Sequence, residues 1–226
     1  MENYSYISVL TNINYYPGLC ALYHSLQKTG CKYPLHVVIP KTMDVASRKA
    51  ILALGIGIIE LPELKLKEVL FDKNLNKRWN NTFSKLQIFK LTQFKKIVFL
   101  DLDMILLKNI DELFEKPHMS AVAAGNCVHS EWTRLNSGII VIEPNEILYD
   151  DLIQCILPAC EERLRAGLGF GDQDVINYYY KDWWEDKDLV LSEIYNVLSL
   201  VYKQVCANFG YNNLKVIYNN NYHDRY

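Results

Sequence analysis

The chain lacks the features that would place it in several large protein classes. No continuous apolar segment approaches the roughly 20 residues of a membrane-spanning helix, and the N-terminus opens directly into the strand-like Tyr6–Leu10 instead of a signal peptide. A soluble, cytoplasmic protein without a membrane span is therefore expected. There is no excess of charge of one sign: 24 Lys and Arg stand against 26 Asp and Glu, a net −2, so no basic field is present to hold a nucleic acid. Any phosphate ligand would have to bring a cation with it. The six cysteines, Cys20, Cys31, Cys127, Cys155, Cys160 and Cys206, include no Cys-x-x-Cys pair, which excludes the common zinc spacings. A chain of 226 residues needs no disulfide staples, so these thiols are expected to be reduced and mostly buried. The five histidines show no metal-ligand spacing among themselves. Asn80-Asn81-Thr82 matches the N-glycosylation acceptor pattern, but without an export signal it reads as a chance match. Proline, glycine and serine form no linker, and with 50% hydrophobic residues the expectation is one domain over residues 1–226.

What the chain does hold is an apolar run, Lys96-Ile97-Val98-Phe99-Leu100, that ends in Asp101-Leu102-Asp103. The run reads as a buried central strand. An ionised carboxylate is costly in an apolar setting unless it is paired or bound to metal, so two of them where a strand runs out ask for a cation. Hard oxygen donors suit Mg²⁺ or Mn²⁺, ions that commonly meet a diphosphate. Short acidic pairs also occur in solvated turns; the strand in front distinguishes this one.

The rest of the pattern alternates. A strand at Ile7–Leu10 stops at Thr11-Asn12-Ile13-Asn14, and after Pro17 and Gly18 a helix follows through Leu19, Leu22, Tyr23 and Leu26. Leu35–Ile39 is a second strand, followed by a helix over Val45–Leu54 that Asp44 can cap and Gly55 can end. A third strand at Ile58–Leu61, a charged helix over Thr82–Leu91 and the strand before Asp101 continue the alternation. Ala121–Ala124 and Ser137–Ile142 look like further strands, and Glu146–Arg165 and Asp172–Tyr180 like helices. Strands alternating with helices predict an α/β fold with a mostly parallel sheet flanked by helices. In such sheets ligands bind beyond the carboxyl ends of the strands, which would put Thr11-Asn12 and the Asp pair along one edge. Beyond Tyr195 the periodicity weakens.

In these motifs the chain resembles glycosyltransferase family 8, the glycogenin-like retaining group of the GT-A fold. The resemblance rests on Leu10-Thr11-Asn12 with Tyr15, Lys85, Phe99-Leu100-Asp101-Leu102-Asp103 with Asn109 to Phe114, Leu135-Asn136-Ser137-Gly138, and Gly171-Asp172-Gln173. It implies a single Rossmann-like GT-A domain that moves a hexose, glucose or galactose first, from a UDP-sugar to an unidentified glycan or protein hydroxyl with retention. It further implies that Thr11, Asn12 and Tyr15 face uracil and ribose, that Asp101 and Asp103 hold Mn²⁺ or Mg²⁺ with Asp101 also reaching ribose, and that Lys85 places a cation beside the phosphates or sugar. Asn136, Ser137 and Gly138 would form the sugar-binding loop. Asp172 would bind sugar hydroxyls, and Gln173 would sit on the β-face of the anomeric carbon. A homodimer is left open.

Two departures stand out. The family carries a third metal ligand, a His in a late Val-Ile-His strand, followed by a Gly and a Lys-Pro-Trp segment; here the run is Val216-Ile217-Tyr218, and no Lys-Pro-Trp precedes Tyr226. Tyr218 replaces the His, or His223 serves after a register shift, or the domain is truncated at its C-terminus. Gly169 also stands where the family has an acidic residue. Two other classes compete: a non-catalytic nucleotide-sugar-binding or scaffold protein of the same fold, and a haloacid-dehalogenase-like phosphatase, whose Asp-x-Asp normally lies near the N-terminus.

Overall fold

A computed structural model describes residues 3–64, 73–74 and 77–218, with the backbone alone for 77–80. A central sheet is built from β1 (Tyr4–Val9), β2 (Leu35–Pro40), β3 (Gly57–Leu61), β4 (Lys96–Leu100), β6 (Ala121–Val122) and β7 (Asn136–Ile142), in the order β3-β2-β1-β4-β7-β6. The first four strands are parallel to one another. Successive side chains of a strand point to opposite faces. Accordingly Tyr6, Val37, Val98 and Ile139 enter one apolar cluster, while Ile7, Val38, Phe99 and Ile140 enter a second. Both faces of the sheet are buried, which is why its strands read as unbroken apolar runs.

Helix α1 (Tyr16–Lys28) carries Leu19, Leu22 and Leu26 into the first cluster, and α2 (Val45–Ala53) adds Ile51. Asp44 caps α2 by accepting from Ser47 N at 2.9 Å, and Gly55 follows at φ +82°, a conformation that glycine takes without strain. The second cluster is covered by α3 (Glu146–Arg165), by α4 (Asp172–Tyr179) and by a 3-10 helix over Lys77–Lys90 that supplies Phe83, Leu86, Ile88 and Phe89. A second sheet joins β5 (Met104–Leu106), β9 (Val216–Tyr218) and β8 (Val197–Leu198) in the order β5-β9-β8, with α5 (Tyr202–Phe209) between β8 and β9. Among the described residues no helix is long and apolar enough to cross a membrane.

Three sequence expectations change. The strand at the start of Asn136-Ser137-Gly138 runs antiparallel to β4, with Leu100 opposite Ile139, because it returns from β6 alongside it without a crossover helix. The strand expected at Ala121–Ala124 shrinks to Ala121–Val122, since its register with β7 breaks there. All six thiols are free as expected, but only Cys160 is fully buried; the other five are half-buried.

Candidate active site

Strand register assembles the site. β1 and β4 end side by side, and continuing their parallel register past Ile7 opposite Phe99 brings Val9 beside Asp101. Because β7 is antiparallel, its first residues meet the last of β4: Asp101 N donates to Gly138 O at 2.9 Å. A parallel strand would have placed Asn136-Ser137-Gly138 at the far edge. In the second sheet Met104 and Leu198 both pair with Tyr218, which sets Tyr218 next to Asp103. The result is a cleft of ≈ 380 Å³ at the carboxyl ends of the parallel strands. Its walls include Thr11, Tyr15, Lys85, Asp101, Asp103, Asn136, Ser137, Gly138, Asp172, Gln173 and Tyr218.

Lys85 is the hub. Its Nζ lies 3.0 Å from Asp101 Oδ1 and 3.0 Å from Asp172 Oδ2, donates to Ser137 O and Oγ at 3.2 Å, and sits 4.8 Å from the centre of the Phe99 ring. Burial alone would lower its pKa, but Asp101 and Asp172 outweigh that and hold the ammonium charged. Side chains three apart eclipse on a 3-10 helix, so Thr82 shares the wall with Lys85. Thr82 Oγ1 accepts from Asp172 N at 3.1 Å.

Asp101 responds oppositely: burial pushes its carboxyl up to about 7, Lys85 pulling down while Asp103 and Asp172 push further up. Tyr218 stands beside Asp103 in the cleft, and burial, then the charges of Asp103, Asp101 and Asp172, raises its phenol. Gln173 Oε1 accepts from Ser137 N at 3.0 Å, and Asn136 Oδ1 accepts from Gly138 N at 2.9 Å and Asn196 Nδ2 at 2.8 Å. Two glycines of the site sit close against their neighbours, and at Gly18 the neighbour is backbone. A Cβ on Gly138 would lie 2.7 Å from Met104 Cε and 3.4 Å from Asp101 Oδ2, and one on Gly18 would lie 2.6 Å from Leu102 O, the carbonyl between the two aspartates.

Asn12 lies outside the cleft lining; it is exposed, and its Oδ1 accepts from Asn14 N at 2.9 Å as the cap of a short 3-10 turn. His223 falls outside the described residues. Among the described residues no three His, Cys, Asp or Glu side chains gather as a metal site. Asp101, Asp103 and the Tyr218 phenol are nevertheless all hard oxygen donors on one wall, a set that fits Mg²⁺ or Mn²⁺ completed by water and phosphate and does not fit zinc. Sequence reasoning missed Arg134 and Arg163, which line the cleft beside Asp174 and carry no spacing signal. It also missed Thr82, three residues before Lys85, because a 3-10 helix was not foreseen, and the contact of Gly18 with Leu102.

Comparison with known proteins follows the same lines. The family model described as "Mannosyltransferase putative" matches residues 7–120. Inositol phosphorylceramide glucuronosyltransferase 1 of Arabidopsis thaliana is 31% identical over 183 residues, covering 79% of this chain and 30% of that protein. Glycogenin-1 of Caenorhabditis elegans is 28% identical over 195 residues, covering 79% of this chain and 40% of that protein. The chain thus spans well under half the length of these two relatives. The crystal structure of galactosyltransferase LgtC in complex with donor and acceptor sugar analogs shares the fold with a TM-score of 0.69 at 16% identity, over 95% of this chain and 86% of that one. The chain belongs to the family whose mannosyltransferase model it matches, it has the GT-A fold, and it is similar to the glycogenin-like glycosyltransferases of family 8.

Proposed function

We propose that the cleft binds a UDP-sugar and transfers its hexose to a hydroxyl acceptor with retention of anomeric configuration. The observation that carries this reading is the single continuous wall formed by Thr11 and Tyr15, Asp101 and Asp103, Lys85, Ser137-Gly138, and Asp172-Gln173. Thr11 and Tyr15 take the nucleoside end, where a short side chain leaves room for the base and a ring can stack on it. A Mn²⁺ or Mg²⁺ ion held by Asp101 and Asp103 would supply Lewis-acid neutralisation of the diphosphate charge. Lys85 locks Asp101 and Asp172 in place and adds fixed positive charge between the phosphate and sugar positions. Gly138, without a Cβ, lets the sugar approach the backbone, and Asp172, held by Lys85 and Thr82, binds sugar hydroxyls.

Gln173 is fixed through its carbonyl oxygen by Ser137 N. An amide is a poor nucleophile, so a covalent glycosyl-enzyme is disfavoured, and retention follows from front-face attack in which the departing phosphate takes the acceptor proton. The test is incubation of the chain with UDP-hexoses in Mn²⁺, measuring UDP release and, by NMR, the anomer first formed. UDP release with a retained anomer is expected. A phosphatase would release phosphate from a monoester instead, and a scaffold would release nothing.

A further inference from the structure

Beyond Gln173, two arginines of the cleft share one acid. Arg134 Nη2 lies 2.8 Å and Arg163 Nε 3.0 Å from Asp174 Oδ1, while Asp174 Oδ2 accepts from Gly171 N at 2.9 Å. Two guanidiniums on one carboxylate leave this three-residue cluster with a formal charge of +1, next to Asp172, which is paired with Lys85. The arrangement is built into the fold. Asp174 is only 7% exposed and its bond to Gly171 N caps α4, the helix that opens with Asp172 and Gln173. The Arg134 side chain, in contrast, is 45% exposed and faces the cavity.

A guanidinium presents five N–H donors in a planar fork. Asp174 engages Arg134 through one nitrogen, Nη2. The remainder of the Arg134 fork is pre-positioned at little entropic cost, since its anchor is buried and its partner Arg163 is also tied to Gly169 O at 3.3 Å. Hydroxyls of a neutral sugar do not call for surplus positive charge. A carboxylate does, and it matches the fork bidentately.

We infer that Arg134, backed by Arg163, binds the carboxylate of a hexuronate in the cleft. This rests on the nucleotide-sugar reading above and narrows its substrate from a neutral to an acidic sugar. The hexuronate belongs either to the donor or to the acceptor residue that receives the transferred sugar, since both must lie beside Asp172 and Gln173.

The experiment is calorimetric titration of the whole chain in Mn²⁺ with UDP, UDP-glucose and UDP-glucuronate, and of the UDP-loaded chain with a glucuronate oligosaccharide. It is repeated with Arg134→Gln and Arg134→Lys. If the donor carries the acid, UDP-glucuronate binds at least about tenfold tighter than UDP-glucose, and that ratio collapses in Arg134→Gln and partly in Arg134→Lys, which keeps the charge and loses the fork. If the acceptor carries it, the two donors bind alike and the oligosaccharide loses at least about tenfold in Arg134→Gln. Ratios within one protein cancel any loss of folded material. UDP binding with no acidic preference in either arm, or a preference that survives Arg134→Gln, overturns the inference and leaves the nucleotide-sugar reading standing. Failure to bind UDP at all overturns both.

Discussion

Replacing Gly18 by Ala should damage metal-dependent nucleotide binding although Gly18 is a helix residue that carries no functional group. A Cβ there would lie 2.6 Å from Leu102 O and 3.3 Å from Leu102 C. Ordinary C···O contacts sit near 3.3 Å, so helix and loop must part by about 0.7 Å. The obstacle is backbone and cannot rotate away, and Leu102 is the residue between Asp101 and Asp103, so both carboxylates move with it. Overpacking of this kind costs about 1–3 kcal/mol, and the better helix propensity of Ala returns about 0.5–1 kcal/mol. A net loss of about 1–2 kcal/mol lowers Tm by roughly 2–4 °C per kcal/mol in a chain of this size. Sites of this kind must be held within about 0.5 Å, so UDP affinity in Mn²⁺ should fall at least about tenfold, beyond what stability alone explains. Differential scanning calorimetry and UDP titration measure the two effects separately. Gly138→Ala is the comparison: its closest obstacle is Met104 Cε, the free end of a flexible side chain, so the loss should be smaller. A Gly18→Ala protein with unchanged Tm and unchanged UDP affinity would refute the claim that this contact sets the position of the aspartates.

Lys85→Met removes the partner shared by Asp101 and Asp172, and with Lys85 and Asp172 both largely buried the fold should lose about 3 kcal/mol, read by denaturant unfolding. A loss below about 1 kcal/mol would show the network to be solvated like a surface pair. Tyr218→Phe removes the phenol oxygen beside Asp103 but leaves two carboxylates for the cation, so UDP affinity in Mn²⁺ should change by less than about tenfold, whereas a collapse would make the phenol oxygen a required ligand. Since Asp101 must be ionised to bind a cation and its carboxyl is held up near about 7, UDP affinity in Mn²⁺ should fall as pH drops below that value and level off above it. A profile flat down to about pH 5 would contradict the raised carboxyl. Asn12→Ala should lower Tm through its lost cap, with a UDP affinity change under about twofold, and a larger affinity loss would return its carboxamide to the base.

The parallel half of the fold was legible because β1, β2 and β4 are buried on both faces and therefore read as apolar runs, and because Asp44 and Gly55 mark the ends of α2. The direction of β7 was not, since a strand's apolar pattern is the same read either way and only its connection to β6 decides it. β5 and β8, three and two residues long, are too short to carry a period of two. In the candidate site, the residues with a motif around them, namely Asp101, Asp103, Ser137, Gly138, Asp172 and Gln173, line the cleft. Arg134 and Arg163 were not legible: they come from a loop and a helix end far apart in sequence, and only Asp174 joins them. Asn12 illustrates the converse, a residue of suitable chemistry that its own backbone turn consumes.

The central claim is that the Asp101–Asp103 wall takes a nucleotide diphosphate through a divalent cation, and titration of UDP into the chain with and without Mn²⁺, beside Asp103→Ala, tests it most directly. UDP should bind wild-type protein at least about tenfold more tightly in Mn²⁺ than in chelator, and the folded Asp103→Ala protein should show no such gain. Equal UDP affinity for both proteins in Mn²⁺ would contradict the account.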